Sequence, residues 1–283
     1  MGKELSMFRI RFWGVRGSIP TPGPETAGVG GNTSCLEVRA GDQLIILDGG
    51  TGLRLLGNEL IKDKSPLHAS MFFSHVHWDH IQGFPFFTPA FVKQNQFDVY
   101  GGKNLAMTLG DTLAGQMNFP NFPITLEQLA ARIEFKEFDD GHPVHLGDSV
   151  TIKGLPMVHP NGCYGYRIEY GGHAFAYCTD TEHGDTPDEN VLELAQDAEA
   201  LVYDTQYFPA EYTGEIGGMS KKGWGHSTYE VAADIARMAN VKKLVLFHHD
   251  PGHDDAKVAE KEKLCQKLFP NTVAAREGLV LDF

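Results

Sequence analysis

Ser74-His75-Val76-His77-Trp78-Asp79-His80 puts three imidazoles and a carboxylate within six residues, immediately after an apolar run ending in Phe72-Phe73. On an extended segment, side chains at i and i+2 point the same way, so His75 and His77 project to one side. A turn beginning near Trp78 then brings Asp79 and His80 to the same pocket. This donor set suits borderline divalent metals such as zinc or manganese. A histidine-rich surface loop would sit in a polar stretch, whereas this cluster continues an apolar strand.

One such cluster does not supply enough ligands for two metal ions, so further donors are expected at strand ends downstream. His159 follows Leu155-Pro156-Met157-Val158, Asp180 follows Tyr177-Cys178-Thr179, and His248 follows Leu244-Val245-Leu246-Phe247, with His249 beside it as a competitor. A lone histidine after a strand is usually structural. Three suitable residues at three strand ends, together with the cluster, reverse that balance.

The surrounding pattern is that of a layered fold. Phe8 to Trp13 alternates apolar and polar residues, as a half-buried strand does, and a Gly/Pro-rich loop follows from Gly17 to Asn32. Cys35 to Arg39 and Gln43 to Leu47 read as a hairpin through Ala40-Gly41-Asp42, and Leu47-Asp48-Gly49-Gly50 reads as a tight turn. His68 to Phe73 is a further strand. Residues 84 to 131 are aromatic and Pro-punctuated, and are expected to be a mostly helical elaboration beside the site. Arg132 to Phe138, Ser149 to Leu155, Cys163 to Tyr170 and His173 to Cys178 resemble an antiparallel meander, turning at Gly171-Gly172. Val191 to Ala198 and Tyr229 to Met238 carry helical periodicity, and Leu201 to Tyr203 and Lys243 to Phe247 are short buried strands. Strands early and late, each followed by helices, predict an α/β fold of two mixed sheets with helices outside. With no Pro/Ser-rich linker and no repeat, one compact domain over residues 1–283 is the simplest organisation.

Composition narrows the function class. The 42 % hydrophobic and 22 % charged content is ordinary for a globular chain able to bury its own core. Twenty-four basic against thirty-seven acidic residues give a net charge of −13, which makes nucleic acid an unlikely partner. A small anionic substrate stays compatible, because bound cations can reverse the local field. None of the four cysteines lies in a CxxC pair, and they read as reduced thiols. Met1 to Arg11 has no apolar leader core, and no stretch approaches the length of a membrane span. The cytoplasm is the default compartment.

His75-x-His77-x-Asp79-His80 followed by His159, Asp180 and His248 resembles the metallo-β-lactamase superfamily, in order and spacing, over most of the chain. The resemblance implies a four-layer αββα sandwich with two divalent metal ions between the sheets: zinc first, manganese or iron as alternatives. By that likeness His75, His77 and His159 hold one ion, and Asp79, His80 and His248 hold the other, with Asp180 bridging. His248 is preferred over His249 because it directly follows the strand, as the family's last histidine usually does. Two such ions about 3.5–4 Å apart can bind a hydroxide between them and clamp the oxygens of a scissile group. Asp79 would help orient that nucleophile.

Gly223-Trp224-Gly225-His226-Ser227-Thr228 is similar to a segment of the phosphodiesterase branch, which includes ribonuclease Z. There the histidine assists the leaving group and is partnered by an upstream acid. Asp204 lies where that acid is expected, although relatives usually carry Glu. Ser227 or Thr228 also reads as the cap of the helix that follows. Arg16-Gly17-Ser18 and Gly31-Asn32-Thr33-Ser34 resemble loops of cyclic-phosphodiesterase relatives such as phosphoribosyl 1,2-cyclic phosphate phosphodiesterase, so Arg16, Ser18, Asn32 and Ser34 are candidate phosphate contacts. The resemblance therefore implies a dinuclear phosphodiesterase, with Asp79, His226 and Asp204 as catalytic residues, acting on a small anionic cyclic phosphate or cyclic nucleotide. A tRNA 3′-processing endonuclease and a thioester or lactone hydrolase are the alternatives. Relatives are often dimers, so a homodimer is compatible.

Overall fold

The computed structural model describes residues 7–103 and 107–283. Residues 1–6, part of the stretch lacking a leader core, and residues 104–106, inside the expected elaboration, lie outside the described residues.

The first part of the chain supplies β1 (Phe8–Gly14), β2 (Cys35–Ala40), β3 (Gln43–Leu47), β4 (His68–Phe72), β5 (Gln96–Gly102) and β6 (Arg132–Phe138). The second supplies β7 (Val144–Leu146), β8 (Val150–Met157), β9 (Cys163–Tyr170), β10 (His173–Cys178), β11 (Ala200–Asp204), β12 (Leu244–Phe247) and β13 (Thr272–Ala274). The terminal strand β14 (Val280–Asp282) returns to pair with β1. The result is two seven-stranded mixed sheets, ordered β14-β1-β2-β3-β4-β5-β6 and β13-β12-β11-β10-β9-β8-β7. The helices are α1 (Gly52–Leu60), α2 (Trp78–Ile81), α3 (Leu109–Gln116), α4 (Glu189–Ala195), α5 (Pro209–Thr213), α6 (Tyr229–Met238) and α7 (Asp255–Leu268).

Strand alternation sorts side chains into layers. In β3, Ile45 and Leu47 enter the core shared by both sheets, while Leu44 and Ile46 join Leu53 and Leu56 of α1 on the outer face. In β1, Phe8, Ile10 and Phe12 face inward. The same alternation sends Trp13 to the outer cluster, where the Arg11 guanidinium lies 4.1 Å from its ring, and a bulge follows between Phe12 and Gly14. On the second sheet α4 packs over β8, β9 and β10, and α6 over β11 and β12. The predicted α/β sandwich of two mixed sheets is the observed architecture.

Parallel pairing of β3 with β4, and of β11 with both β10 and β12, carries the C-terminal ends of these strands to common edges. Hydrogen bonds across the sandwich hold those edges together. Tyr166 donates its hydroxyl to the Phe73 carbonyl at 2.6 Å, and Tyr177 donates to Asp48 at 2.7 Å. The interior opening between the edges is where the site forms.

Three expectations are corrected. Residues 84–131 are not mostly helical: they contain β5, a strand between β4 and β6 that is buried on both faces. Burial on both faces removes the alternation that would have marked it. Arg132–Phe138 does not open the meander but pairs in parallel with β5 at the edge of the first sheet, since alternation reports a half-buried strand and not its partner. The helix α6 runs over Tyr229–Met238 as expected, but without a side-chain cap from Thr228, and the Ser227 hydroxyl is taken up by His183 Nδ1 at 2.9 Å.

Candidate metal centre

β4 runs into Phe73-Ser74-His75, and His77 stands in extended conformation at the N-cap of α2, whose first turn carries Asp79 and His80. His159 follows β8, Asp180 follows β10, Asp204 ends β11 and His248 follows β12. Asp48, Asp180 and His248 each adopt a left-handed backbone just past a strand end, with φ of 61°, 51° and 58°. Such conformations cost energy in non-glycine residues and cluster at functional sites.

The donors collect in two groups whose ligand atoms lie within 4.8 Å of one another: His75, His77 and His159; and Asp79, His80, Asp180 and His248. Asp180 stands between them. Its Oδ2 lies 3.7 Å from His75 Nε2 and 3.8 Å from His159 Nε2, and its Oδ1 lies 3.2 Å from both His80 Nε2 and His248 Nε2. One carboxylate oxygen thus faces each group. His226 stands close enough to join two further triplets, with His159 and Asp180 and with Asp204 and His248.

Partners behind the imidazoles decide which nitrogen faces inward. His80 Nδ1 pairs with Asp48 at 2.9 Å, His248 Nδ1 with the Gln206 side-chain oxygen at 3.0 Å, and His159 Nδ1 with the Gly225 carbonyl at 2.8 Å. Each Nε2 is left facing the cluster, with His80 and His248 Nε2 only 3.3 Å apart. His75 Nε2 is buried without a hydrogen-bond partner. Converging lone pairs and an orphaned buried nitrogen are the arrangement a cation satisfies, and mixed imidazole and carboxylate donors suit a divalent transition metal.

The electrostatics agree. Burial and the neighbouring imidazoles hold His75 well below the ordinary imidazole value, hence neutral. Burial opposes ionisation of Asp180, but His248, His80 and His75 outweigh it and keep the carboxyl ionised. His80 is pressed down by burial and lifted more strongly by Asp180, Asp79 and Asp48, so a metal would have to displace its proton.

Beside the two groups, His226 Nδ1 lies 2.8 Å from Asp204 Oδ2 and 4.0 Å from Asp180 Oδ2. Asp204 is buried and also accepts from the Gln206 amide at 3.0 Å. Burial pushes His226 down, but Asp204 overrides it and carries the imidazole to about 9. Asp79 accepts from the Ser18 amide at 2.7 Å and faces His248 Nε2 at 3.1 Å. A cleft of about 420 Å³ opens on the cluster, lined by Ser18, Val76, His77, Trp78, Asp79, Asp180 and His226. A larger cavity, about 700 Å³, lies far from this chemistry beside Arg167, whose guanidinium is committed to the Leu194 and Gln196 carbonyls.

The anticipated ligands and the His226–Asp204 pair are therefore brought together, and the anticipated phosphate contacts divide. Ser18 lines the cleft. Arg16 is fully buried and donates to the Gly30 and His253 carbonyls, Asn32 is tied to Glu277, and Ser34 is buried at the base of the first sheet. None of the three lines the cleft: Arg16 and Asn32 pin the loop to the scaffold, and the Ser34 hydroxyl is buried without a hydrogen-bond partner. His249 turns away to the Ala275 carbonyl, leaving His248 in the cluster. Sequence reasoning missed Asp48, Gln206 and Glu182. Asp48 carried a signal, an acid between a strand end and two glycines, and it read only as a turn.

The family model of the beta-lactamase superfamily domain matches residues 45–249. Ribonuclease Z of Thermoplasma acidophilum is 25 % identical, with 96 % of this chain and 95 % of the relative covered. Among solved structures, the metallo-beta-lactamase fold protein YhfI of Bacillus subtilis superposes with a TM-score of 0.73 at 20 % identity, covering 98 % of this chain and 100 % of the other. A diphosphatase of the PhnP family gives a TM-score of 0.70 at 16 % identity, covering 98 % of each chain. A relative named as a ribonuclease takes away the force of excluding nucleic acid on net charge alone. Among the described residues no helix is long and apolar enough to cross a membrane.

Proposed function

The chain belongs to the beta-lactamase superfamily, and from that premise we propose that it is a dinuclear metal-dependent phosphodiesterase of the cytoplasm that hydrolyses a cyclic phosphate or cyclic nucleotide. The observation that carries this reading is the pairing of a bridged seven-donor cluster with a separate, buried His226–Asp204 couple 4.0 Å from Asp180. A purely structural metal site has no use for a second, protonated imidazole aimed at its edge.

His75, His77 and His159 would hold one divalent cation, and Asp79, His80 and His248 the other, with Asp180 shared. Zinc fits this donor set best. Bound there, the two cations would supply Lewis acidity for the phosphoryl oxygens and for the attacking water. The chain's own residues do the rest. His226 carries a proton on an imidazole held by Asp204 and can deliver it to the departing alkoxide, a poor leaving group without that help. Asp79, fixed by the Ser18 amide, orients the nucleophile. Ser18, whose hydroxyl accepts from the Gln206 side-chain Nε2 at 3.3 Å, is positioned at the mouth to meet a phosphate oxygen. The four buried free cysteines are compatible with a reducing compartment.

The test is turnover of bis(p-nitrophenyl) phosphate by zinc- or manganese-loaded protein, followed by a panel of cyclic nucleotides. Asp79→Ala should abolish turnover. His226→Ala should lose roughly 100-fold or more with alkyl leaving groups and much less with p-nitrophenolate, which needs no proton. Absence of turnover in fully metal-loaded protein removes the phosphodiesterase reading. The relative named ribonuclease Z favours one second reading, cleavage of an RNA phosphodiester, and faster cleavage of precursor tRNA than of cyclic nucleotides would establish it.

A further inference from the structure

The residue between the ligand candidates His77 and Asp79 is the most conspicuous side chain of the cleft without a partner. Trp78 is 80 % exposed, although it lines the same cleft as Ser18, His77, Asp79, Asp180 and His226. Its backbone is fixed: it opens α2, and its carbonyl accepts from the Gln82 amide at 2.8 Å. Among the described residues the indole has no ring or cation stacked on it, whereas Trp224, two residues before His226, is covered by the Lys221 ammonium at 4.1 Å. Exposed apolar side chains also adjoin other residues of the site. Ile19 follows Ser18 and Val158 precedes His159, at 58 % and 56 % exposure. A floor of ionisable donors is thus edged by apolar surface on separate loops, and its one open aromatic face springs from the ligand-bearing segment itself. A large exposed apolar side chain is informative where it borders a polar site.

We propose that Trp78 is the stacking platform of a binding subsite for a flat aromatic ring, a nucleobase, joined through its sugar to the phosphate held over the cluster. This deepens the phosphodiesterase reading and rests on it. Trp78 is adjacent in sequence to His77 and to Asp79, so the platform stands one backbone step from donors on both sides of the site, and a nucleotide spans that distance. The cleft volume of about 420 Å³ falls within the range of small-ligand sites.

The test uses equilibrium binding, so it does not depend on turnover. Adenosine 5′-monophosphate and ribose 5-phosphate are titrated calorimetrically into zinc-loaded wild type, Trp78→Ala and Trp78→Phe. In wild type the nucleotide should bind at least about fivefold tighter than the sugar phosphate. Trp78→Ala should abolish that preference and leave ribose 5-phosphate binding unchanged, while Trp78→Phe should keep most of it. Equal binding of the two ligands by wild type, or a preference that survives Trp78→Ala, overturns the subsite. A pentaribonucleotide with a terminal adenosine separates the two sources of a base. Affinity equal to that of the mononucleotide supports a small ligand, and binding tenfold or more tighter overturns that assignment. Loss of the phosphodiesterase reading shows in turnover and loss of the subsite in binding, so each can fail alone.

Discussion

Replacing Lys261 by methionine should change how stability depends on pH. Lys261 is the one fully buried ammonium on α7, and its Nζ lies 2.5 Å from the Thr205 carbonyl and 3.1 Å from that of Gln206. A neutral amine has two N–H donors, enough for both carbonyls, so burial can strip the proton without breaking either bond. Burial lowers its pKa from 10.5 to about 7, with Asp250 and Glu211 resisting. The unfolded chain holds that proton up to about pH 10.4, so between about pH 7 and that value it binds more protons than the folded chain, and stability rises with pH. Below about pH 7 both states are protonated and the full penalty applies. For one group moving over this interval, the gain from about pH 7 to about pH 9 is about 2 kcal/mol. Urea unfolding of metal-free protein across that range reads it directly. Wild type minus Lys261→Met should climb by that amount, while the variant forfeits stability at every pH by leaving two buried carbonyls unpaired. A difference that stays flat with pH would refute the reasoning. The same pair of bonds holds Gln206 behind His248, so Lys261→Met should also weaken zinc binding.

Three other substitutions address the supports of the site. Asp48→Asn removes the charge behind His80 while keeping its shape, and zinc affinity measured against a competing chelator should fall about 10- to 100-fold. Glu182 accepts from the Gly223 amide at 2.7 Å, the Gly225 amide at 2.8 Å and the Tyr212 hydroxyl at 2.8 Å. It thereby holds the turn that carries both the His159 acceptor and His226. Glu182→Ala should lower kcat by up to about 100-fold with an unchanged far-ultraviolet spectrum. Gly225 tolerates no side chain, having φ of +87° and a Cβ position 2.2 Å from His159 Nδ1, so Gly225→Ala should weaken zinc binding through the same histidine.

What could be read in the sequence follows from where each signal lies. His75, His77, Asp79 and His80 are adjacent in the chain, and His159, Asp180 and His248 each end an apolar strand, so donor type and strand boundary together pointed to them. Asp48 also ends a strand, but Gly49-Gly50 behind it gives the same pattern as an ordinary turn. Gln206 and Glu182 act through hydrogen bonds to residues distant in sequence, which no local pattern encodes. The helix α7 escaped because one position of its buried stripe, between Val258 and Cys265, is filled by Lys261. Charge in an apolar slot erased the 3.6-residue period. In the Gly17–Asn32 loop the polar residues looked like ligand contacts because a phosphate and a backbone carbonyl attract the same side chains. Arg16 shows the difference: buried completely, its guanidinium serves the loop.

The central claim is a pair of metal ions shared through Asp180. Metal-free protein titrated with zinc, desalted and analysed by elemental mass spectrometry tests it most directly. The account predicts two zinc ions per chain in wild type, and one or none in Asp180→Ala. A single zinc per chain at saturation, or two that persist without Asp180, would contradict it.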